Sequence, residues 1–162
     1  MGLETSAARV WKRLAREERL AAARHFWADP PREAVGPAQA AVIQVLHVRP
    51  QSVRTLATER KAAALASVAD PSELLAASLL VALHLGERRP LLSAFLDAAG
   101  LVHDAGLLAD EPSAPPIGED AARRGYEAVS KAFPEQQVRT YLNTLWLQDH
   151  DRWGVLERVL GA

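Results

Sequence analysis

Residues 71–90, PSELLAASLLVALHLGERRP, decide the fold class. Between Leu74 and Leu85, the side chains of Leu74, Leu75, Leu79, Leu80, Val81, Leu83 and Leu85 cover most of a helix circumference. A helix that is apolar nearly all round belongs in the middle of a fold. Pro71 is compatible with a first helical turn, and Pro90 disfavours helix for the residue before it. The stretch therefore predicts a central helix over 71–86.

The same punctuation divides the rest of the chain. Asp29-Pro30-Pro31, Gly36-Pro37, Arg49-Pro50, Gly100, Pro112 through Pro116 and Phe133-Pro134 are the remaining breaks. Between them, helices are expected over 5–28, 37–48, 51–68, 90–100, 119–133, 134–148 and 151–160. Alanine and leucine dominate, only two isoleucines occur, and no stretch alternates polar with apolar residues long enough for a sheet. The expected class is all-α: a compact multi-helix bundle or a short helical-hairpin array of about seven to nine helices. One domain over 1–162 is expected, with the long loop 109–118 (ADEPSAPPIG) before C-terminal helices at 119–161.

An echo runs through the first half. Residues 14–50 contain L-A-R-E, then A-D-P at 28–30, Leu46-His47 and Arg49-Pro50; residues 56–90 contain L-A-T-E, then A-D-P at 69–71, Leu83-His84 and Arg89-Pro90. It reads either as a duplicated helix pair of about 40 residues, with halves at 10–50 and 52–90, or as two similar helices sharing stop signals.

The 162 residues carry 19 Lys+Arg against 20 Asp+Glu, a net charge of −1, which argues against a general nucleic-acid or membrane-surface binder. With no cysteine, disulfides, thiolate metal sites and thiol nucleophiles are excluded. No apolar run is long enough to span a bilayer, and the polar start, Met1 to Ser6, is unlike a signal peptide. A cytoplasmic protein of bacterial-like composition is expected.

On a continuous first helix, Arg9, Lys12, Arg13, Arg16, Arg19 and Arg24 fall within an arc of about 140°. Val10, Trp11, Leu14, Ala15, Ala21, Ala22 and Phe26 take the opposite arc. That basic face is a candidate docking surface for an acidic partner, phosphate groups or RNA, set against a solvated face whose Leu20 and Trp27 a neighbouring helix covers. Glu18 and His25 point into the apolar arc; a buried carboxylate needs a hydrogen-bonded or charged partner, and Arg60 or Arg49 is the candidate for Glu18.

Residues 101–108, LVHDAGLL, contain an adjacent His103-Asp104 followed by Gly106. The segment resembles the L-L-H-D-x-G-x-(I/L) signature of the HD superfamily of metal-dependent phosphohydrolases, which are all-helical. The resemblance implies a divalent metal on His103 and Asp104, activating a water for attack on phosphorus. Further ligands would come from His84 or His47 upstream, and from Asp120, Asp149 or Asp151 downstream; the set His84, His103, Asp104 and Asp149 is the alternative metal site. It covers eight residues, and Leu107 stands where that family often has lysine. The competing reading is helix-end and turn chemistry.

Gln148-Asp149-His150-Asp151 reads as a corner between helices with Asp151 as N-cap. No glycine-rich phosphate loop or nucleophile elbow is present. The expectation is a non-catalytic helical interaction or scaffold module without a cofactor, meeting a protein partner or itself, with no membrane or nucleic-acid partner. The HD-type hydrolase is the alternative.

Overall fold

The computed structural model describes residues 2–161 and is 71% helical, with almost no strand. The all-α class expected from the sequence is what the chain adopts. No helix among the described residues is long and apolar enough to cross a membrane. The chain divides into two compact units, residues 6–87 and residues 88–161 joined by residues 2–5.

The first unit runs α1 (Ala7–Arg13), α2 (Arg16–Ala28), α3 (Arg32–Leu46), a 3₁₀ segment (Pro50–Thr55), α4 (Thr58–Ala66) and α5 (Glu73–Glu87). Here α5 packs against α1, α2 and α3, the central place its composition predicts. Leu75, Ala76, Leu79, Leu80, Leu83 and His84 are buried, but Leu74 is 47% exposed, so α5 is not buried all round. Trp11 anchors α1, donating its indole N–H to the Val68 carbonyl at 2.9 Å.

Two of the expected helices in this unit break at the same kind of step. Leu14 and Ala15 are extended (ψ 145° and 156°), and so are Leu56 and Ala57 (ψ 141° at both). The helix expected over 5–28 is therefore α1 and α2, and the one over 51–68 is the 3₁₀ segment and α4. Both halves of the L-A echo thus fall at an extended Leu-Ala step that opens a helix. Glu18, expected on the inner face, instead accepts the Ala15 N–H at 2.8 Å and closes the first turn of α2. The helix expected from 37 starts at Arg32 and carries Pro37 inside it; the proline ring removes one backbone donor, and Glu33, whose carbonyl loses that bond, is exposed.

His25, the other polar residue expected on the inner face, reaches across to α5. Its Nε2 lies 2.8 Å from Glu87 Oε1, and its ring lies flat on Gly86, where an added Cβ would stand 2.1 Å from His25 Cγ. Glycine is needed there for α2 to reach α5. Leu20 is half-buried, and Trp27 packs against the Val42, Val53 and Ala64 cluster with the Lys61 ammonium 4.7 Å from its ring centroid.

The second unit runs α6 (Arg89–Ala99), a hairpin of β1 (His103–Asp104) and β2 (Leu107–Leu108), α7 (Glu119–Ala132), α8 (Glu135–Gln148), α9 (His150–Trp153) and α10 (Leu156–Gly161). The helix expected over 151–160 is α9 and α10, and the hairpin was not expected. Leu91, Leu92, Phe95, Leu96 and Ala99 form the buried face of α6. Phe95 meets Tyr141 edge-on at 5.7 Å and Trp153 at 6.2 Å. Residues 2–5 are tied to α8 by an amide clamp: Glu4 N–H donates to Asn143 Oδ1 at 2.7 Å, and Asn143 Nδ2 donates to the Glu4 carbonyl at 2.8 Å.

Gly86→Ala is expected to destabilise the first unit by about 1–3 kcal/mol in urea unfolding, because the new methyl displaces the imidazole. In a His25→Ala background most of that cost should vanish; equal costs in both backgrounds would count against the ring contact. The Glu73 carboxyl is held below its ordinary pKa, first by the Ser6 hydroxyl that donates to it and then by the Ala7 and Ala8 N–H groups. A folded value below the unfolded one means a contribution fully present above the ordinary carboxylate pKa and lost as pH falls through the lowered value. Stability measured from neutral pH downward should therefore fall less steeply in Glu73→Gln than in the parent.

Candidate functional site

The six basic residues of the candidate docking face do not lie along one helix, because the Leu14–Ala15 step separates Arg9, Lys12 and Arg13 on α1 from Arg16, Arg19 and Arg24 on α2. Several also have acidic neighbours within the same unit. Lys12 lies 3.4 Å from Asp70, and Arg9 contributes to the lowered pKa of Glu73. Arg24 binds Glu59 through two bonds, Nε to Oε1 at 2.8 Å and Nη2 to Oε2 at 3.0 Å, which lowers the carboxyl pKa and raises that of the guanidinium. Arg9, Lys12, Arg13 and Arg16 are exposed, and Arg19 is half-buried.

The His103-Asp104 pair opens a two-residue hairpin. Asp104 pairs with Leu107 across a turn in which Ala105 (φ 47°) and Gly106 (φ 90°) are both left-handed, as a tight hairpin turn of this hand requires. Both imidazole nitrogens of His103 are engaged. Nδ1 accepts the Gly106 N–H at 3.0 Å, which places the ring proton on Nε2, and Nε2 lies 2.9 Å from Asp97 Oδ1. Asp104 is exposed. Asp149, not Asp151, is the N-cap of α9, accepting the Arg152 N–H at 3.0 Å. His84 lies buried on α5 in the other unit. Among the described residues, no group of three or more His, Asp or Glu side chains is placed to hold a metal ion.

What the hairpin and the loop do build is a groove. The chain leaves α6 through a paired C-terminal turn in which Gly100 N–H bonds the Asp97 carbonyl at 3.0 Å and Leu101 N–H bonds that of Leu96 at 2.9 Å. Leu101 and Val102 then run outward, and Val102 is 92% exposed. Residues 109–118 pass over the surface as a proline-rich strap. Its far end is pinned where Ile117 N–H donates to the Arg152 carbonyl at 3.1 Å, and α7 begins immediately after, at Glu119. Between strap, hairpin and α7 lies a half-open groove of about 460 Å³. Leu101, Val102, Leu108, Pro115, Pro116, Ile117 and Ala121 make its apolar walls; Arg152 and Glu111 are its charged residues.

Arg152 is set by α9. Its Cζ stands 5.6 Å from the centroid of the Trp153 ring, and among the described residues no carboxylate pairs with its guanidinium. The sequence reads 109–118 as a hinge or strap and 101–108 as a motif, and gives no sign that the two line one groove. The available signal was the pair Leu101-Val102, two apolar residues directly after a helix stop. Nothing in the sequence marks Arg152 apart from the other arginines.

Ala105 is the weak point of the hairpin, since an alanine in the left-handed region costs about 1 kcal/mol. Ala105→Asn is expected to raise the unfolding midpoint, whereas Gly106→Ala should lower it, since its Cβ would stand 2.7 Å from Leu92 Cβ. Thermal denaturation of the two variants gives opposite shifts if the turn has this geometry. In comparison with known proteins, no family model, no curated protein and no solved structure matches this chain.

Proposed function

We propose that the chain is a non-catalytic α-helical binding module, and that the groove beneath the 109–118 strap is where its partner is held. The observation that carries this reading is the groove itself: nine apolar side chains line it, with Val102 almost wholly in solvent. Apolar groups left open to water in a concave site gain by receiving an apolar group from elsewhere. The arrangement of the chemistry-bearing side chains agrees with it. His103 closes a turn, Asp149 caps a helix and His25 locks two helices together.

A neutral apolar probe tests the reading. Titration with octanamide, followed by backbone amide NMR shifts, should perturb residues 100–102, 108–121 and 152 saturably and leave the first unit's amides in place. Shifts scattered over both units, or none, would refute the groove as the binding place. Metal-dependent phosphoesterase turnover that disappears in His103→Ala would refute the non-catalytic part and restore the hydrolase alternative.

A further inference from the structure

We infer that the groove takes a small apolar molecule bearing a single carboxylate, with the carboxylate on Arg152. This rests on the groove being a binding site and adds which chemistry it selects. Arg152 is half-buried, lines the groove and has its guanidinium unpaired with any carboxylate among the described residues. That sets it apart from Arg24, Arg123 and Arg158, each of which meets a glutamate within about 3 Å of side-chain contact. Arg152 is half-buried with its guanidinium beside the Trp153 ring, and a guanidinium partly withdrawn from solvent is less screened than one in open water, so an anion on it is held more firmly than at the surface.

The remaining features narrow the anion. A planar guanidinium fork matches a carboxylate with two parallel hydrogen bonds. Glu111 also lines the groove, and its negative charge disfavours a dianion such as a phosphate monoester more than a single charge. One cation set among mainly apolar side chains calls for one anionic head on an apolar body. The volume, about 460 Å³, lies within the range of small-molecule sites. The position of Arg152 is stiffened at three points: Asp149 caps its N–H, Ile117 bonds its carbonyl, and the Trp153 ring lies beside its guanidinium.

Calorimetric titration with octanoate, octanamide and octyl phosphate, at equal ionic strength and pH 7, tests the inference. Octanoate should bind about tenfold or more tightly than octanamide, as a charge-assisted hydrogen-bonded pair implies, and more tightly than octyl phosphate. Arg152→Met, which keeps an apolar stem, should bring octanoate down to the octanamide level and leave octanamide unchanged. Val102→Asp, at an exposed position that leaves the fold intact, should weaken octanoate more than octanamide, so the inference stays testable if Arg152→Met unfolds. Octanoate binding no better than octanamide overturns the carboxylate and leaves the groove standing, as does octyl phosphate binding tightest. If none of the three binds, the groove falls as well.

Discussion

Close approach between helices through small side chains is the constraint on which the rest of the structure depends. In the first unit, α2 buries Ala22 and Ala23, α4 buries Ala62 and α5 buries Ala76, all with no exposure. Helices that meet through such residues come to short interaxial distances, and little side-chain volume remains to absorb a misfit. The contacts at that range become specific: a ring on Gly86 in one unit, and in the other Phe95 against Gly125 and Leu92 against Gly106. An alanine-rich chain can fold this way because backbone proximity adds dispersion contacts to those of the buried Leu, Phe and Trp side chains.

A chain packed so tightly has to use its polar side chains at the ends of elements. Glu18, Asp149 and Glu73 serve backbone N–H groups at helix starts, and His103 serves the N–H of Gly106 in a hairpin. Each satisfies a donor that the backbone leaves open. The same donors explain why His103-Asp104, which resembles a metal motif in one dimension, does not act as a pair: the imidazole turns back onto its own loop to accept the Gly106 N–H, and Asp104 faces solvent.

The groove follows from a different limitation. Proline at 112, 115 and 116 keeps the strap from continuing as helix, so it crosses the surface as irregular chain with one turn, Ala114 N–H to the Glu111 carbonyl at 3.0 Å, and is held at its far end by the Ile117–Arg152 backbone bond. A strap without regular structure covers the surface beneath it only partly. The space left over is lined by whatever the strap and the end of α6 carry, and here those residues are mostly apolar, with Glu111 as the exception on the strap.

How much of this was legible beforehand depends on range. Helical composition, proline punctuation, the central place of 74–85 and the stops at Asp29, Gly100 and Phe133 are local properties, carried by backbone sterics within a few residues, and they could be read directly. The breaks at Leu14-Ala15 and Leu56-Ala57 could not, because Leu and Ala are good helix formers and only packing keeps those steps extended. Nor could the partners of His25 and Asn143, which lie 62 and 139 residues away in the chain. The candidate site divides in the same way. Composition determined that the strap would not be helical, but only the tertiary structure decided that Arg152 would stand beside it with no carboxylate paired to its guanidinium among the described residues, since an arginine's partner is set by what folding brings near it and not by its neighbours in sequence.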